Sequence, residues 1–296
     1  MRRRTAWLCL SALSVLLAAC GGGTAQVAGQ STPENLSVSP QNSTLLVGLN
    51  RISVALLDKQ QNPVSAASVS VQIVNAAGRT VATRPLQNIG SEYGGIPVYV
   101  GVADFPDVGQ YEYLVQGTSQ AGQTVNGHAY VTVAASGPEV RIGAQVPRAT
   151  QAVLGEPHVT ISMIDSGIPP DDWHTETVAQ GVAQHRPMVL YLGDPAYCPS
   201  KTCGPTRQIL EQLCTQFCSQ LLFEHIETYF PAGPPGPTAH VNQAFDAFGL
   251  QTDPWVYFVD SAGVVTDRYE GPVTLPELQQ SALGTLAGRV PAVTLS

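Results

Sequence analysis

Four cysteines lie within 21 residues of one another: Cys198, Cys203, Cys214 and Cys218. A cysteine works as a nucleophile only as its thiolate, so the question is what surrounds each sulfur. Met188 to Leu192 is a short apolar run without alternation, as expected of a strand buried on both faces of a sheet. A turn rich in Gly and Pro follows, carrying Asp194, Tyr197 and Cys198. Cys203-Gly204-Pro205 then opens a segment with Ile209, Leu210 and Leu213 at helical spacing. A thiol at a helix start is made acidic by free backbone N–H groups and the positive end of the helix dipole.

Cys214 and Cys218 stand four apart toward the end of the same helix. That spacing places them on one face, where a disulfide strains a regular helix. A structural role is expected for them, as small apolar residues or as a pair if the helix has already ended. A C-x3-C pair without a nearby histidine is a weak metal signal, and no metal site is expected.

The elements that hold these residues belong to an exported chain. Arg2, Arg3 and Arg4 precede an apolar run from Trp7 to Ala19 that is short for a membrane span, so residues 1–19 read as a signal peptide. Leu17-Ala18-Ala19-Cys20 resembles the bacterial lipoprotein cleavage box, which implies a lipid on Cys20 and a membrane-anchored, extracytoplasmic protein. Loss of the leader takes the net charge from −8 to about −11, which argues against nucleic-acid binding. Outside the cytoplasm an even number of clustered cysteines invites pairing.

Residues 20–34 read as a flexible tether. Residues 35–135 contain short alternating or β-branched runs separated by turn clusters, the pattern of an immunoglobulin-like β-sandwich. No chemistry is expected there: His128 reads as a strand residue, and Tyr93, Tyr99 and Tyr111 as surface aromatics or sheet packing. Residues 136–168 read as a connector. From 169 to 296 helical and strand patterns alternate, with a helix from Thr175 to about His185, strands at 188–193, 221–228, 255–260 and 264–270, and helices at 205–217, 239–248 and 275–287.

This order, with Cys203-Gly204-Pro205, resembles thioredoxin-fold proteins. The piece matches the first three residues of their Cys-Gly-Pro-Cys motif, with Thr206 in the fourth position and Cys198 as the implied partner. Pro254, before the strand that opens with Trp255, matches their cis-proline, whose backbone would face an extended substrate. The span from His174 to Gly271 is similar to exported bacterial thioredoxin-like proteins that carry an aromatic-Cys-x4-Cys-Gly-Pro box. The resemblance implies a multidomain fold, an N-terminal all-β sandwich with a C-terminal α/β thioredoxin-like domain. It also implies thiol–disulfide exchange by Cys198 and Cys203 with a protein partner in the cell envelope, without a cofactor. The alternatives are a Sco-like copper-handling protein, with His240 on a Pro/Gly-rich loop as a third ligand, and a redox-inert binding module.

Overall fold

The computed structural model describes residues 34–290. The signal segment 1–19, Cys20 and nearly all of the 20–34 tether lie outside the described residues. The described residues belong to one compact unit.

The first part is a two-layered β-structure. Its strands are β1 (Glu34–Asn35), β2 (Ser37–Pro40), β3 (Leu45–Leu46), β4 (Gly48–Leu57), β5 (Ala66–Asn75), β6 (Thr80–Asn88), β7 (Tyr99–Phe105), β8 (Gly109–Ser119) and β9 (Thr124–Ala134). They pair in the order β1-β9-β8-β5-β6-β7-β4-β2, with β3 also on β9. Strand β6 pairs with β5 in one layer and with β7 in the other. At the opposite margin the chain passes from β1, on β9, to β2, on β4. Strands that switch layers on both sides leave little free sheet edge to recruit another chain. The core follows from period-2 alternation: Ile52, Val54 and Leu56 of β4, Val69, Val71 and Ile73 of β5, and Tyr111, Tyr113 and Val115 of β8 all point inward. Tyr93, Tyr99 and Tyr111 are each at most 3% exposed, so none offers a surface for recognition. The Tyr111 hydroxyl donates to the Asp107 carbonyl at 2.9 Å and closes the corner before β8.

The second part contains α1 (Ile161–Ile164), α2 (Val178–Ala183), β10 (Met188–Leu192), α3 (Cys203–Phe217), β11 (Leu222–Ile226), β12 (Tyr229–Phe230), β13 (His240–Val241), α4 (Gln243–Ala247), β14 (Trp255–Val259), β15 (Val265–Glu270) and α5 (Leu275–Leu286). Four strands form a mixed sheet in the order β11-β10-β14-β15. β10 runs parallel to β11 and antiparallel to β14. β10, β11 and β14 are buried at every position; β10 and β14 accordingly show apolar runs instead of alternation, whereas β11 buries Glu224 and His225 between apolar residues.

The expected fold class needs correction. Among the described residues the molecule is mostly β, 37% strand against 18% helix, and not a β-sandwich beside an α/β thioredoxin-like domain. The helical expectation fails locally for physical reasons. The helix expected from Thr175 starts two residues later, where Thr177 accepts from the Gln180 N–H in a capping box, and runs six residues before His185 takes a positive φ. The 239–248 helix shrinks to five residues, because its first turn is taken up by β13 and Gly249, at φ +71°, ends it. Only α3 and α5 exceed two turns.

One apolar core joins the two sheets. Ile89, Tyr93, Val98 and Val100 from the β6–β7 connection pack with Tyr191, Cys203, Leu210 and Phe258. The Tyr93 hydroxyl meets Thr206 Oγ1 at 3.1 Å in the first turn of α3 and accepts from the Val273 N–H. Arg51 holds Glu277 by Nε–Oε1 at 2.6 Å and Nη2–Oε2 at 3.0 Å, both side chains being largely buried. Removing either member of such a buried pair strands the other charge, at a cost of about 3–5 kcal/mol.

Candidate functional site

The site forms where β10 and β14 end. Leu192 stands opposite Trp255, so the next residue of one strand, Gly193, meets the residue before the other, Pro254. A Cβ on Gly193 would lie 3.2 Å from Pro254 Cβ and 3.3 Å from Cys203 Sγ. Glycine is needed there because proline ring and sulfur close over its α-carbon. The Asp253–Pro254 peptide is cis. The chain then turns through Asp194-Pro-Ala-Tyr197, with the Cys198 N–H donating to the Asp194 carbonyl at 3.1 Å, and enters α3 at Cys203.

Cys198 and Cys203 are joined as a disulfide with Cα atoms 5.9 Å apart. Cys203 is fully buried and Cys198 half-buried. The Tyr191 hydroxyl donates to the Cys203 carbonyl at 2.9 Å. Ser200 Oγ stands 3.1 Å and Asp253 Oδ1 3.7 Å from Cys198 Sγ. Asp253 is also bonded by the Thr228 hydroxyl at 3.1 Å. Burial, with Asp194 nearby, pushes the Asp253 carboxyl above its ordinary range. Asp194 is buried and accepts the Thr228 N–H at 2.7 Å. Glu227 lies beside it, and burial together with the Asp194 charge raises the Glu227 carboxyl strongly.

A cleft of about 270 Å³ opens next to the disulfide, lined by Asp194, Tyr197, Pro199, Thr228, Phe245 and Asp253 among others. Tyr197 is 43% exposed at its rim. Gly204 and Pro205 occupy the first turn of α3, where the missing proline N–H costs no helical bond. Trp255 goes elsewhere: it packs with Leu190, Leu192 and Tyr257 on the sheet face opposite Cys203, under the Arg268 guanidinium. Cys214 and Cys218 also form a disulfide, with Cα atoms 4.7 Å apart. Cys218 is the C-cap residue, so the pair bridges the end of α3 and not its regular interior.

Sequence reading named Asp194 but missed Asp253, which reaches Cys198, and Thr228 and Glu227, which meet Asp253 and Asp194 through sheet register. It also missed a second group, Asp165, Asp171, His174 and His225, whose ligand-type atoms lie within 4.8 Å of one another. Cys198, Cys203 and Asp253 meet the same distance criterion. His240 is on exposed β13 near Arg148 and Thr150, away from the cysteines.

No family model and no curated protein matches the chain. Solved structures similar to it include CopC from Methylosinus trichosporium OB3b (18% identity, 35% of this chain and 84% of that one, TM-score 0.23). A DUF4426 family protein from Pseudomonas aeruginosa PAO1 matches at 13% identity over 30% of this chain and 76% of its own, TM-score 0.23. A putative superoxide reductase from Thermotoga maritima matches at 9% identity over 36% and 89%, TM-score 0.23. At such scores the likenesses carry no functional argument.

Proposed function

We propose that the Cys198–Cys203 disulfide is the working centre of a thiol–disulfide exchange protein, held outside the cytoplasm by a lipid on Cys20 and acting on a protein partner of the cell envelope. One observation carries the reading: a half-exposed sulfur is bonded to a buried one at the first residue of a fifteen-residue helix, beside an open cleft. In the dithiol form the Cys198 thiolate attacks one sulfur of a partner disulfide and the partner's other sulfur leaves as a thiolate. The Cys203 thiolate then attacks Cys198 Sγ, re-forming the internal bond and releasing the partner's first sulfur as a thiolate. The partner gains two electrons and this chain loses two. Burial assigns the first attack to Cys198, while the helix N-terminus stabilises the Cys203 thiolate as leaving or resolving group. Asp253 stands where it can exchange a proton with Cys198.

The test is reduction of insulin by dithiothreitol in the presence of the full chain, with thiols counted before and after. Catalysis by the wild type that vanishes in Cys198→Ser supports the reading. A protein that never changes its thiol count is a redox-inert module.

Copper handling is the second reading, since the reduced cysteines with Asp253 would offer soft sulfur ligands to Cu(I). Its mark would be one Cu(I) bound per reduced chain, with affinity undisturbed in His240→Ala because that residue stands apart.

A further inference from the structure

Behind Gly193, away from the cleft, two histidines and two aspartates converge in a pocket closed to solvent. We propose that Asp165, Asp171, His174 and His225 form a four-coordinate site for one divalent transition-metal ion of the zinc type. The inference is independent of the exchange reading.

Three of the ligands come from one loop, where backbone N–H groups hold the two aspartates. Asp165, at the end of α1, accepts from Gly167 N at 2.6 Å and from Asp171 N at 2.7 Å. Asp171 accepts from Trp173 N at 3.1 Å. The fourth, His225, comes from the middle of β11 and has no exposed side-chain surface. The other three side chains are at most 3% exposed.

The tautomer of His225 is the decisive detail. Its Nε2 lies 2.9 Å from the Gly193 carbonyl, which can only accept, so Nε2 carries the hydrogen. In the neutral ring Nδ1 then presents a lone pair to Asp171 Oδ2 at 3.0 Å and to Asp165 Oδ2 at 3.8 Å. His174 turns its Nε2 to the same two carboxylates, 3.2 Å from Asp165 Oδ2 and 3.1 Å from Asp171 Oδ1. The Arg207 guanidinium, with Nη1 3.7 Å from Asp171 Oδ2, supplies part of the positive charge these carboxylates face, and the rest must come from protons on the imidazoles or from a metal ion between them. A dication balances two carboxylates and two neutral imidazoles. Zinc bonds of about 2.0–2.1 Å to tetrahedral ligands set neighbouring donor atoms about 3.3 Å apart; Asp165 Oδ2 stands 3.2 Å from His174 Nε2 and 3.8 Å from His225 Nδ1, Asp171 turns one oxygen to each ring, and one donor atom from each of the four residues lies within 4.8 Å of the others. An imidazole whose far nitrogen is bonded to a backbone carbonyl is also the usual support of a metal-binding histidine.

The donor set selects the ion. Calcium and magnesium take six or more oxygens, and Cu(I) prefers sulfur, whereas two imidazoles with two carboxylates suit zinc. No donor position is left facing solvent, so the ion would be structural. It would fix the 165–174 loop to β11 and, through Gly193, the start of the cysteine turn.

The test uses the full, untagged chain with both disulfides oxidised and any thiol at Cys9 or Cys20 alkylated, so that no thiolate competes. After exhaustive chelation, Zn(II) titration should restore one ion per chain and raise the melting temperature. Co(II) should give the visible bands of a four-coordinate ion without sulfur-to-metal charge transfer. Asp171→Asn and His174→Gln should each weaken Zn(II) binding at least about 10–100-fold, the range already lost with outer-shell partners. The Cys198→Ser/Cys203→Ser protein should bind as the wild type does. The proposal is overturned if the oxidised wild type takes up no Zn(II), if either ligand variant binds as tightly as the wild type, or if the cysteine variant loses the ion. Should the ligand variants fail to fold, the wild-type titration with Zn(II) and the Co(II) spectrum decide alone.

Discussion

At its first residue α3 carries Cys203, sealed between Gly193 and Pro254 and bonded to the half-buried Cys198. At its last turn Cys214 and Cys218 bridge the point where the helix stops. The two bonds are alike in chemistry and opposite in setting. The first stands at the positive end of the helix dipole, where a departing thiolate is stabilised. The second stands at the negative end, where it is not. Only the first has a cleft, a hydroxyl and a carboxylate within reach of its sulfur. Reactivity therefore resides in what the helix end and the neighbouring loops supply, and a disulfide lacking those surroundings serves as a staple.

The contrast breaks most directly under serine substitution. Cys198→Ser and Cys203→Ser should each lower the insulin-reduction rate by at least about 100-fold, while Cys214→Ser/Cys218→Ser should stay within about twofold of the wild type. Equal losses at both ends would erase the distinction.

A large difference should also appear in stability against pH. Glu227, beside Asp194 in the turn that leads to the first disulfide, has its carboxyl raised by burial and by Asp194. Below about pH 4.5 the folded and unfolded chains both hold this proton, so it contributes no pH dependence. Above that value the unfolded chain releases the proton and the folded one keeps it. Wild-type stability therefore falls by up to ~1.4 kcal/mol per pH unit until the folded group also ionises. Glu227→Gln has no such proton. Urea unfolding at a series of pH values should show the variant gaining on the wild type as pH rises, and a constant gap would contradict the raised carboxyl.

At the other end the expected effect is on stability alone. Opening the Cys214–Cys218 loop in the double serine variant should cost about 2 kcal/mol by chain entropy, read from the urea midpoint. The smallest effect sharpens the electrostatics of the first end. Asp253→Asn removes a negative charge beside Cys198 and should lower the apparent pKa of that thiol by on the order of one unit, measured by alkylation rate against pH. An unchanged or raised thiol pKa would take Asp253 out of the site.

Much of this site was legible as sequence because it is local. Cys198, the turn and Cys203 are consecutive, and a strand followed by Cys-Gly-Pro at a helix start names its own geometry. Pro254 was legible through a resemblance, although the fold class drawn from the same resemblance gave way to a mostly β molecule. What stayed hidden depends on pairing between distant segments. Asp253 reaches the sulfur, and Thr228 and Glu227 reach Asp253 and Asp194, because β11, β10 and β14 lie side by side, and nothing near Cys198 encodes that register. Trp255 shows the reverse: it adjoins Pro254 in sequence, yet period 2 along β14 sends it to the far face of the sheet. The His and Asp cluster joins a loop to a strand fifty residues later, and Tyr93 reads as a surface aromatic until the 3-10 turn Gly90–Tyr93 delivers it into the core under α3.

The central claim is that the bond at the helix start is built to open and close. Its reduction potential, measured by equilibration with glutathione buffers in the Cys214→Ser/Cys218→Ser protein, tests this directly. The account predicts a value within about −120 to −270 mV, the span of dithiols that exchange with partners. A value below about −300 mV, or a bond that no such buffer reduces, would show Cys198–Cys203 to be a second staple.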